Sequence, residues 1–363
     1  MTFSYPPLRI LAVADVWQGS DAYAFVRAFR RMGHSVSVVP PENYVPSAWK
    51  RTSLRGLRRL LEPILVSEYT EALISEARQL RPHLFFVFKG RHVTPKAIET
   101  IRKAGAVAIN FYPDVSFMAH GRYLPEALPQ YDWIFTTKSF GPADMERLLA
   151  VRRASVLPPS YDPETHAPVK LDEDDRARYE CDVSFIGTWS PKKQQYLEQV
   201  QRELPEIRLR VWGSQWENAR RSLGSQIEGR HVLGIEYAKA VIGSKINLAI
   251  LSEARAGASS GDQITARTFQ IPATGAFMLH EYTEEFTGYF REDVECACFQ
   301  TADDLMEKVA HYLEHPEERE KIAMAGYRRC VESGYAVDDR AAIVLNKLAE
   351  IRGTRAEAVG SGI

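Results

Sequence analysis

The sequence lacks a large net charge, a long apolar run and a leader-like N-terminus. Its 363 residues carry 46 lysines and arginines against 47 aspartates and glutamates, giving a net charge of −1. This balance argues against a broad electrostatic surface for nucleic acid. No run approaches the roughly 18 apolar residues that a membrane-spanning helix requires. Residues 1–7 contain no basic region followed by an apolar core, so we expect no signal peptide.

Cysteine and glycine are sparse where metal or dinucleotide sites would need them. No group of cysteines and histidines has zinc spacing, so we expect no metal site. The loop at residues 16–21 holds a single glycine, Gly19, which is not a dinucleotide-binding pattern. Gly19 could either let the main chain approach a ligand closely or form a plain tight turn. We expect reduced, buried thiols in a cytoplasmic protein at four positions: Cys181, Cys296, Cys298 and Cys330.

What the sequence does contain is a regular alternation of apolar runs and amphipathic stretches. Its length suggests two domains, and its 45% hydrophobic content is ordinary for a globular protein. Strand–helix alternation is typical of doubly wound α/β domains with parallel sheets. We predict strands at 8–15, 34–39, 84–88, 106–111, 133–137, 183–186, 207–212, 245–250, 276–279 and 295–299. We predict helices at 22–32, 57–64, 68–79, 95–104, 143–150, 191–204, 237–243, 264–273, 301–314, 316–333 and 339–352.

Two segments interrupt this alternation and indicate where one domain ends. Residues 155–168 are rich in proline and therefore extended, and residues 171–180 are acidic and linker-like. We predict a first domain at 1–168, a second at 169–338 and a separate C-terminal helix at 339–352. The small, polar residues at 353–363 predict a disordered tail.

In the first domain, charged residues follow the predicted central strands. A lysine, a glycine and an arginine occupy positions 89–91 at the carboxyl end of one strand, the edge where ligands bind in such sheets. Asp114 and His120 follow the next strand, and we single them out as catalytic candidates. Residues 44–65 are basic, which indicates a solvated face, a patch for an acidic acceptor or an anionic membrane surface. The basic residues are Lys50, Arg51, Arg55, Arg58 and Arg59.

The most informative stretch is residues 259–281 in the second domain. Asp262 is a good residue to cap the helix predicted at 264–273, and Gly275 is suited to end it in a left-handed conformation. A short apolar strand follows at once. A loop, a helix start and a strand thus meet at one sheet edge, although the pattern alone is equally typical of an ordinary structural unit.

Residues 267–277 resemble the C-terminal signature of the CgeB-like glycosyltransferases. Those proteins are similar to the family 4 retaining glycosyltransferases, which have the two-domain GT-B fold. The resemblance implies two Rossmann-like domains facing a cleft, with the C-terminal helix crossing back to the first. The larger group has two glutamates eight residues apart and a glycine five residues after the second. Counting back from Gly275, these positions hold Asp262 and Gln270.

The resemblance also implies roles for individual residues. The acid at Asp262 would contact donor-sugar hydroxyls, and Gln270, which keeps an acceptor oxygen but no charge, would bind the ribose. His120 would line the donor-sugar pocket. The remaining donor-site candidates are a glycine loop with two lysines (Gly187, Lys192 and Lys193) and a base-stacking tryptophan (Trp212 or, instead, Trp216) with the adjacent Gly213. A lysine that enters a strand (Lys245), an arginine for the diphosphate (Arg267) and Gly19 in the first loop complete the set.

On this resemblance we expect a retaining, metal-independent glycosyltransferase that needs no cofactor beyond its nucleotide-diphosphate sugar. Its acceptor would be a glycan, a protein or a small molecule, selected by residues 44–65 and 114–123. We expect no nucleic-acid partner and no transmembrane segment, and peripheral contact with a membrane stays open. Two alternatives stay open as well. One is a nucleotide-sugar epimerase of the same fold, and the other is a nucleotide-sugar-binding protein without turnover.

Overall fold

A computed structural model describes residues 6–45 and 55–360 of the chain, which divides into two compact units. The first unit contains the chain up to Pro158, the segment Arg255–Ser260 and the residues from Asp338 onward. The second contains Pro159–Ala254 and Gly261–Val337. Both units are parallel α/β domains of the Rossmann type, so the predicted fold class is confirmed.

The first unit is built on a six-stranded parallel sheet in the order β2-β1-β3-β4-β5-β6. Its strands are β1 (Arg9–Val13), β2 (Ser35–Val38), β3 (Leu84–Phe88), β4 (Val107–Tyr112), β5 (Trp133–Thr136) and β6 (Ala154–Val156). Its helices are α1 (Asp21–Arg31), α2 (Arg55–Leu80), α3 (Pro95–Lys103), α4 (Tyr123–Ala127) and α5 (Gly141–Leu149). Short 3₁₀ turns cover Pro41–Asn43, Phe117–His120 and Leu128–Gln130.

Local sequence explains why these elements begin where they do. Ser20 caps α1 by accepting a hydrogen bond from the Tyr23 amide, and Thr94 caps α3 in the same way. Pro95 occupies the first turn of α3, where its missing N–H costs no hydrogen bond. The strand Leu84–Phe88 is apolar throughout and its first four residues are fully buried, as expected for a central parallel strand.

The prediction of two helices at 57–64 and 68–79 is wrong, because the single helix α2 covers both ranges. The chain is helical without a break from Arg55 to Leu80, with Pro63 inside. Proline removes one helical hydrogen bond, but the residues on both sides are good helix formers and the second half is anchored in the core by Tyr69 and Leu73. Of the predicted basic patch, Lys50, Arg51 and the side chains of Arg55, Arg58 and Arg59 lie outside the described residues.

The second unit has a five-stranded parallel sheet in the order β11-β10-β9-β7-β8. Its strands are β7 (Cys181–Ile186), β8 (Leu209–Trp212), β9 (Ser244–Ala249), β10 (Met278–Glu281) and β11 (Ala297–Phe299). Its helices are α6 (Glu173–Tyr179), α7 (Pro191–Glu203), α8 (Arg220–Leu223), α9 (Ile235–Ile242), α10 (Arg267–Ala273), α11 (Glu284–Thr287), α12 (Ala302–Glu314) and α13 (Pro316–Glu332). A 3₁₀ turn covers Trp216–Ala219.

The boundary between the units and the segment after it differ from the prediction. Residues 159–168 belong to the second unit, since Tyr161 bridges to Ala336 and the His166 ring packs on Tyr237 at 5.2 Å. The segment predicted as a linker contains α6, which starts with a capping box between Asp172 and its third helical residue.

The last helix, α14 (Val337–Gly360), packs on the first unit, and the predicted disordered tail is wrong as far as Gly360. Arg355 explains the continuation, because its Nη2 lies 2.6 Å from Oδ1 of the buried Asp132. At the other end of the helix, Asp338 pairs with Arg31 at 2.7 Å. None of the helices in residues 6–45 and 55–360 combines the length and apolarity that crossing a bilayer requires.

The strand order places one reversal point in each sheet, between β1 and β3 and between β7 and β9. The crossover connections leave the strands in opposite directions at such a point. A crevice therefore opens outside the carboxyl ends of the two strands, and this is where open α/β sheets bind ligands.

Candidate functional site

The glycine turn after β7 is the centre of the candidate site in the second unit. Gly187 donates its amide to the Trp212 carbonyl at 3.0 Å and accepts a hydrogen bond from Trp216 Nε1 at 2.8 Å. A Cβ atom at Gly187 would lie 2.9 Å from Nη1 of Arg267. Gly213 has φ +128°, and a Cβ there would collide with the Gly187 main chain. Gly213 needs glycine because two stretches of main chain meet there, and Gly187 leaves room for the Arg267 guanidinium.

Arg267 provides the cation at this turn. It begins α10, and its Nη2 donates to the Ile250 carbonyl at the end of β9 at 2.8 Å. Its guanidinium lies over the Phe185 ring, 5.2 Å from the centroid. Burial lowers the pKa of Arg267, whereas Tyr237 and Asp262 act in the opposite direction. Within the described chain, its buried Nε has no hydrogen-bond partner. A desolvated cation with spare donors is suited to an anionic ligand.

The two adjacent lysines of α7 have different environments, which the sequence left open. Lys193 is only 3% exposed, and its Nζ lies 2.9 Å from Ser252 Oγ and 3.2 Å from the Thr188 carbonyl. Lys192 is more exposed and pairs with Glu281 at 2.5 Å. Successive residues of a helix point about 100° apart, so only one of them can face the β7 turn. That residue is Lys193.

Two carboxylates that the sequence reasoning missed hold these loops together. Glu281, at the end of β10, receives the Leu251 amide at 2.9 Å with the oxygen that Lys192 does not contact. Glu253 receives the Lys192 amide at the start of α7 at 3.1 Å. Burial alone would raise the pKa of Glu253, but its hydrogen bonds and the Lys193 charge lower it. Glu281 ends β10 and Glu253 follows β9, and these positions could have identified both residues from the sequence. Residues at the carboxyl ends of parallel strands lie at the edge of the sheet where ligands bind.

A buried histidine fixes the main chain at Glu281. His280 is fully buried, with Nδ1 2.6 Å from the Glu281 carbonyl oxygen and Nε2 2.9 Å from Thr268 Oγ1. Burial lowers the pKa of His280 to about 3, so the ring is neutral at physiological pH. It can therefore donate one hydrogen bond and accept the other, which ties β10 to α10.

The Asp262 charge acts on Arg267 and Gln270 lies on the same helix as Arg267, but Asp262 does not cap a helix. The helix begins at Arg267 rather than at residue 264, with Ala266 as its first flanking residue. Among the residues that the structure describes, no side chain caps α10, and Thr268 Oγ1 accepts a hydrogen bond from the Thr265 amide just before the helix. The Asp262 amide donates to the Ser252 carbonyl at 2.9 Å, and its charge acts on Arg267. Gln270 is buried on α10, one turn after Arg267.

Two predicted donor-site residues lie elsewhere. The Trp212 side chain is completely buried and packs with Tyr179 and Val232, so no face of its ring is available to stack on a base. Trp216 is equally buried and serves the Gly187 turn. Lys245 is the second residue of β9, at the amino edge of the sheet, and pairs with Asp182 at 2.7 Å. It therefore lies at the edge opposite to the carboxyl ends where Arg267 and Lys193 are found.

In the first unit, Gly19 lies in the loop after β1 and adopts a left-handed conformation, with φ +85°. The Ser20 amide closes this turn on the Trp17 carbonyl at 3.2 Å. The adjacent Trp17 is 46% exposed, which is unusual for tryptophan. The loop therefore presents main chain and an aromatic side chain at the carboxyl edge of the sheet.

Asp114 and His120 lie together, joined by a lysine from the neighbouring strand. His120 Nε2 lies 2.9 Å from Asp114 Oδ2, and Lys89 Nζ lies 2.6 Å from the same oxygen. Partial burial would raise the pKa of Asp114, but the His120 hydrogen bond and the Lys89 charge hold it well below its usual range. The Tyr112 ring packs edge-on against His120 at 6.1 Å. This cluster lies at the carboxyl ends of β3 and β4.

A short segment that follows β9 in sequence belongs to this first unit, which sequence reasoning did not foresee. Ser116 Oγ donates to the Ala256 carbonyl at 2.6 Å, and the Ser259 amide donates to Asp144 Oδ2 at 2.8 Å. A Cβ at Gly257, where φ is +86°, would collide with Met118. Arg255 precedes these contacts, and its charge acts on Tyr112.

Comparison with known proteins agrees with this architecture. A family model described as glycosyl transferase-like matches residues 192–346. No curated protein sequence matches the chain significantly. The matched range is less than half of the chain, and the solved structures below show that the fold is the GT-B fold.

Solved structures match the whole chain at low identity, which shows the fold. A sucrose-phosphate synthase from Thermosynechococcus elongatus superposes with a TM-score of 0.68 at 12% identity, covering 96% of this chain and 100% of that one. The Anabaena protein HepE in complex with UDP-glucose gives 0.61 at 10% identity, covering 94% and 100%. A putative UDP-N-acetylglucosamine 2-epimerase from Listeria monocytogenes gives 0.56 at 9% identity, covering 94% and 95%.

Proposed function

We propose that the protein is a retaining glycosyltransferase that uses a nucleotide-diphosphate sugar. The donor assignment rests on the buried Arg267 guanidinium, which lies against the Gly187 turn. Its Nε makes no hydrogen bond to any of the described residues. Lys193 lies at the same turn, at the N-terminus of α7. Two cations and a helix N-terminus beside a glycine turn form a suitable site for a diphosphate.

These groups also suggest how the reaction is assisted. When the bond between the sugar and the diphosphate breaks, negative charge develops on the leaving phosphate. Arg267, Lys193 and the helix N-terminus are already oriented toward the turn where that charge would form, so they would stabilise it without reorganisation. Because the protein supplies these cations, we propose a metal-independent reaction. Gly213 contributes by letting the Gly187 main chain adopt this turn.

The remaining roles follow from the resemblance to CgeB-like and family 4 enzymes. Asp262 is proposed to contact donor-sugar hydroxyls and Gln270 the ribose, which needs no charged partner. Gly19, Asp114 and His120 are assigned to the sugar and acceptor side. The acceptor class stays a glycan, a protein or a small molecule. The HepE complex with UDP-glucose makes a uridine nucleotide the first donor to test.

Two competing functions have some support. The epimerase likeness favours conversion of a nucleotide sugar without an acceptor. The loss of the second acid, at Gln270, favours binding without turnover. A cytoplasmic location is proposed on the four cysteines, which are buried and form no disulfide in the part of the chain that the structure describes.

Calorimetric titration with UDP, GDP, dTDP and CMP tests the donor site, with Lys245→Ala as the matched control. Arg267→Ala removes charge-assisted hydrogen bonds worth about 1.5–3 kcal/mol, so the dissociation constant should rise about tenfold to a hundredfold. Lys245→Ala removes a predicted donor-site cation that lies at the opposite, amino edge of the sheet, so nucleotide binding should stay unchanged. Absence of binding by any of the nucleotides would contradict the proposal, as would equal effects of the two variants.

Turnover then separates the three functions. The preferred nucleotide sugar is incubated with and without candidate acceptors and followed by proton NMR. A retaining transferase gives a product with the donor's anomeric configuration and releases the nucleoside diphosphate only with an acceptor. An epimerase changes the donor with no acceptor present, and a binding protein changes nothing.

A further inference from the structure

Lys89, which follows β3 in the first unit, has a main-chain conformation that its residue type disfavours. Its φ is +63°, in the left-handed region where a side chain clashes with its own main chain. Only five non-glycine residues of the described chain have a positive φ. A glycine would adopt this conformation without strain, so the presence of lysine indicates that its side chain is needed.

The surrounding chain forces this conformation on Lys89. Its amide donates to the Phe111 carbonyl at 2.8 Å, and its carbonyl accepts from Asn110 Nδ2 at 3.3 Å. The next residue, Gly90, has φ +83°, and a Cβ there would lie 2.7 Å from Val87 Cγ1. The turn is therefore fixed by buried β4 residues, and it sends the Lys89 side chain toward the end of that strand.

The side chain ends at Asp114, which in turn contacts His120. Both Lys89 Nζ, at 2.6 Å, and His120 Nε2, at 2.9 Å, approach the same Asp114 oxygen. The pKa of Asp114 is held below its usual range, first by His120 and then by Lys89, against the effect of burial. An ionised carboxylate only accepts hydrogen bonds, so His120 Nε2 must carry a proton. In the neutral ring, Nδ1 is then an acceptor.

The rest of the cluster leaves that acceptor available. His120 Nδ1 makes no hydrogen bond to any residue in the described ranges, and the side chain is 19% exposed. Tyr112 packs edge-on against the ring and limits its rotation. The charged and titratable groups that face this cluster are Lys89, Asp114, Arg255 and the Tyr112 hydroxyl, which has no hydrogen-bond partner among the residues that the structure describes.

We propose that Lys89 is a positioning residue that orients His120, through Asp114, as a hydrogen-bond acceptor for a sugar hydroxyl. The sharing of Asp114 between lysine and histidine is the structural basis. Lys89 Nζ and His120 Nε2 contact the same Asp114 oxygen, so Lys89 fixes the carboxylate against which the His120 ring is held. This inference rests on the proposed transferase function. It adds to that function a residue with no direct contact to the reacting atoms.

Nitrogen-15 NMR of histidine-labelled protein tests the inference without turnover. The chain has nine histidines, and the His120→Gln variant identifies the signal of His120 by difference. We expect wild type to show a single set of His120 ring signals, with Nε2 carrying the proton that faces Asp114. In Lys89→Met, Asp114 loses its contact with Nζ and no longer holds the ring in one orientation, so the His120 ring signals should shift or split. An unchanged His120 spectrum in Lys89→Met would overturn the proposal.

Two further variants separate positioning from folding. Lys89→Gly removes the ammonium but relieves the left-handed strain, so its melting temperature should equal or exceed that of wild type while the NMR change persists. Lys89→Arg keeps the charge and should retain the wild-type form of His120. A lower melting temperature for Lys89→Gly, with the His120 signal unchanged, would assign lysine a structural role and overturn the proposal.

Kinetics with the donor that wild type turns over provides the functional readout. We expect kcat/KM to fall about tenfold to a hundredfold in Lys89→Met and Lys89→Gly, as misplaced contacts typically do. Nucleoside diphosphate affinity should not change, because Lys89 is not part of that site. If wild type turns over no donor, the transferase proposal fails, while the NMR result still decides whether Lys89 orients His120. If transfer is intact in both variants, the positioning proposal fails alone.

Discussion

The two units have the same strand order around their reversal points but very different chemistry at the carboxyl ends. In the second unit, Arg267 and Lys193 lie at a glycine turn, and the nearby acids mainly hold loops. In the first unit, a lysine, an aspartate and a histidine form one mixed-charge chain. The cations of the second unit are suited to binding a polyanion. The mixed-charge cluster of the first unit is suited to binding neutral hydroxyl groups. The same topology thus supports two kinds of ligand contact, because function depends on the residues at the strand ends.

The largest effect is expected from distorting the glycine turn of the second unit. Gly213→Ala combines a disfavoured φ of +128° with a collision against Gly187. We expect a loss of about 2–4 kcal/mol in the free energy of unfolding, together with loss of nucleotide binding. Chemical denaturation and calorimetry measure the two effects.

Gly33→Ala in the first unit is the matched control for that variant. Gly33 has φ +85°, but a Cβ there would meet no atom within 4 Å. It should lose only the conformational term, about 1 kcal/mol, and keep nucleotide binding. Equal losses in the two variants would show that the contact between Gly213 and Gly187 has no energetic importance.

A smaller effect is expected from separating the two adjacent lysines. Lys193→Met keeps most of the buried stem but removes the ammonium at the turn, so nucleotide affinity should fall about tenfold. Lys192→Met removes a cation already neutralised by Glu281, so affinity should change less than threefold, which is below about 0.7 kcal/mol. Calorimetry with the preferred nucleotide compares them. A larger loss in Lys192→Met would reverse the assignment of the inward-facing lysine.

The smallest effect concerns Asp144, whose carboxylate holds the Arg255–Ser260 segment in the first unit. Burial would raise the pKa of Asp144, but Arg147 and the Ser259 amide lower it overall. A depressed pKa in the folded state contributes stability above the unfolded-state pKa of about 3.9, and that contribution is lost as pH falls through the folded-state value. Asp144→Asn should therefore be about 1 kcal/mol less stable at pH 7.

The difference between wild type and Asp144→Asn should shrink toward zero as the pH falls below about 4. Urea denaturation at a series of pH values measures it, and nucleotide binding by the second unit should be unaffected at pH 7. A difference that does not vary with pH would show that the charge of Asp144 is unimportant and that only its shape matters.

Much of the fold was predictable because it depends on short-range patterns. The apolar run Leu84–Phe88 and the caps Thr94 and Thr301 define elements through their own residues. The Gly187 turn and the arginine of α10 became site candidates through the resemblance to a known family, not through such patterns. The two-helix prediction for α2 failed because proline weakens a helix without necessarily ending it, and the tail prediction failed because Arg355 finds a partner far away in sequence, at Asp132.

Local sequence patterns were enough to predict the two α/β domains and the turn at Gly187, since backbone conformation and hydrophobic pattern are local properties. Only the tertiary structure decided that Lys193 faces the turn, that Trp212 is buried and that Lys89 meets Asp114 and His120. Each of these depends on strand order, which brings distant residues to the same sheet edge. Burial and charge pairing across that edge then select which side chains remain available to a ligand.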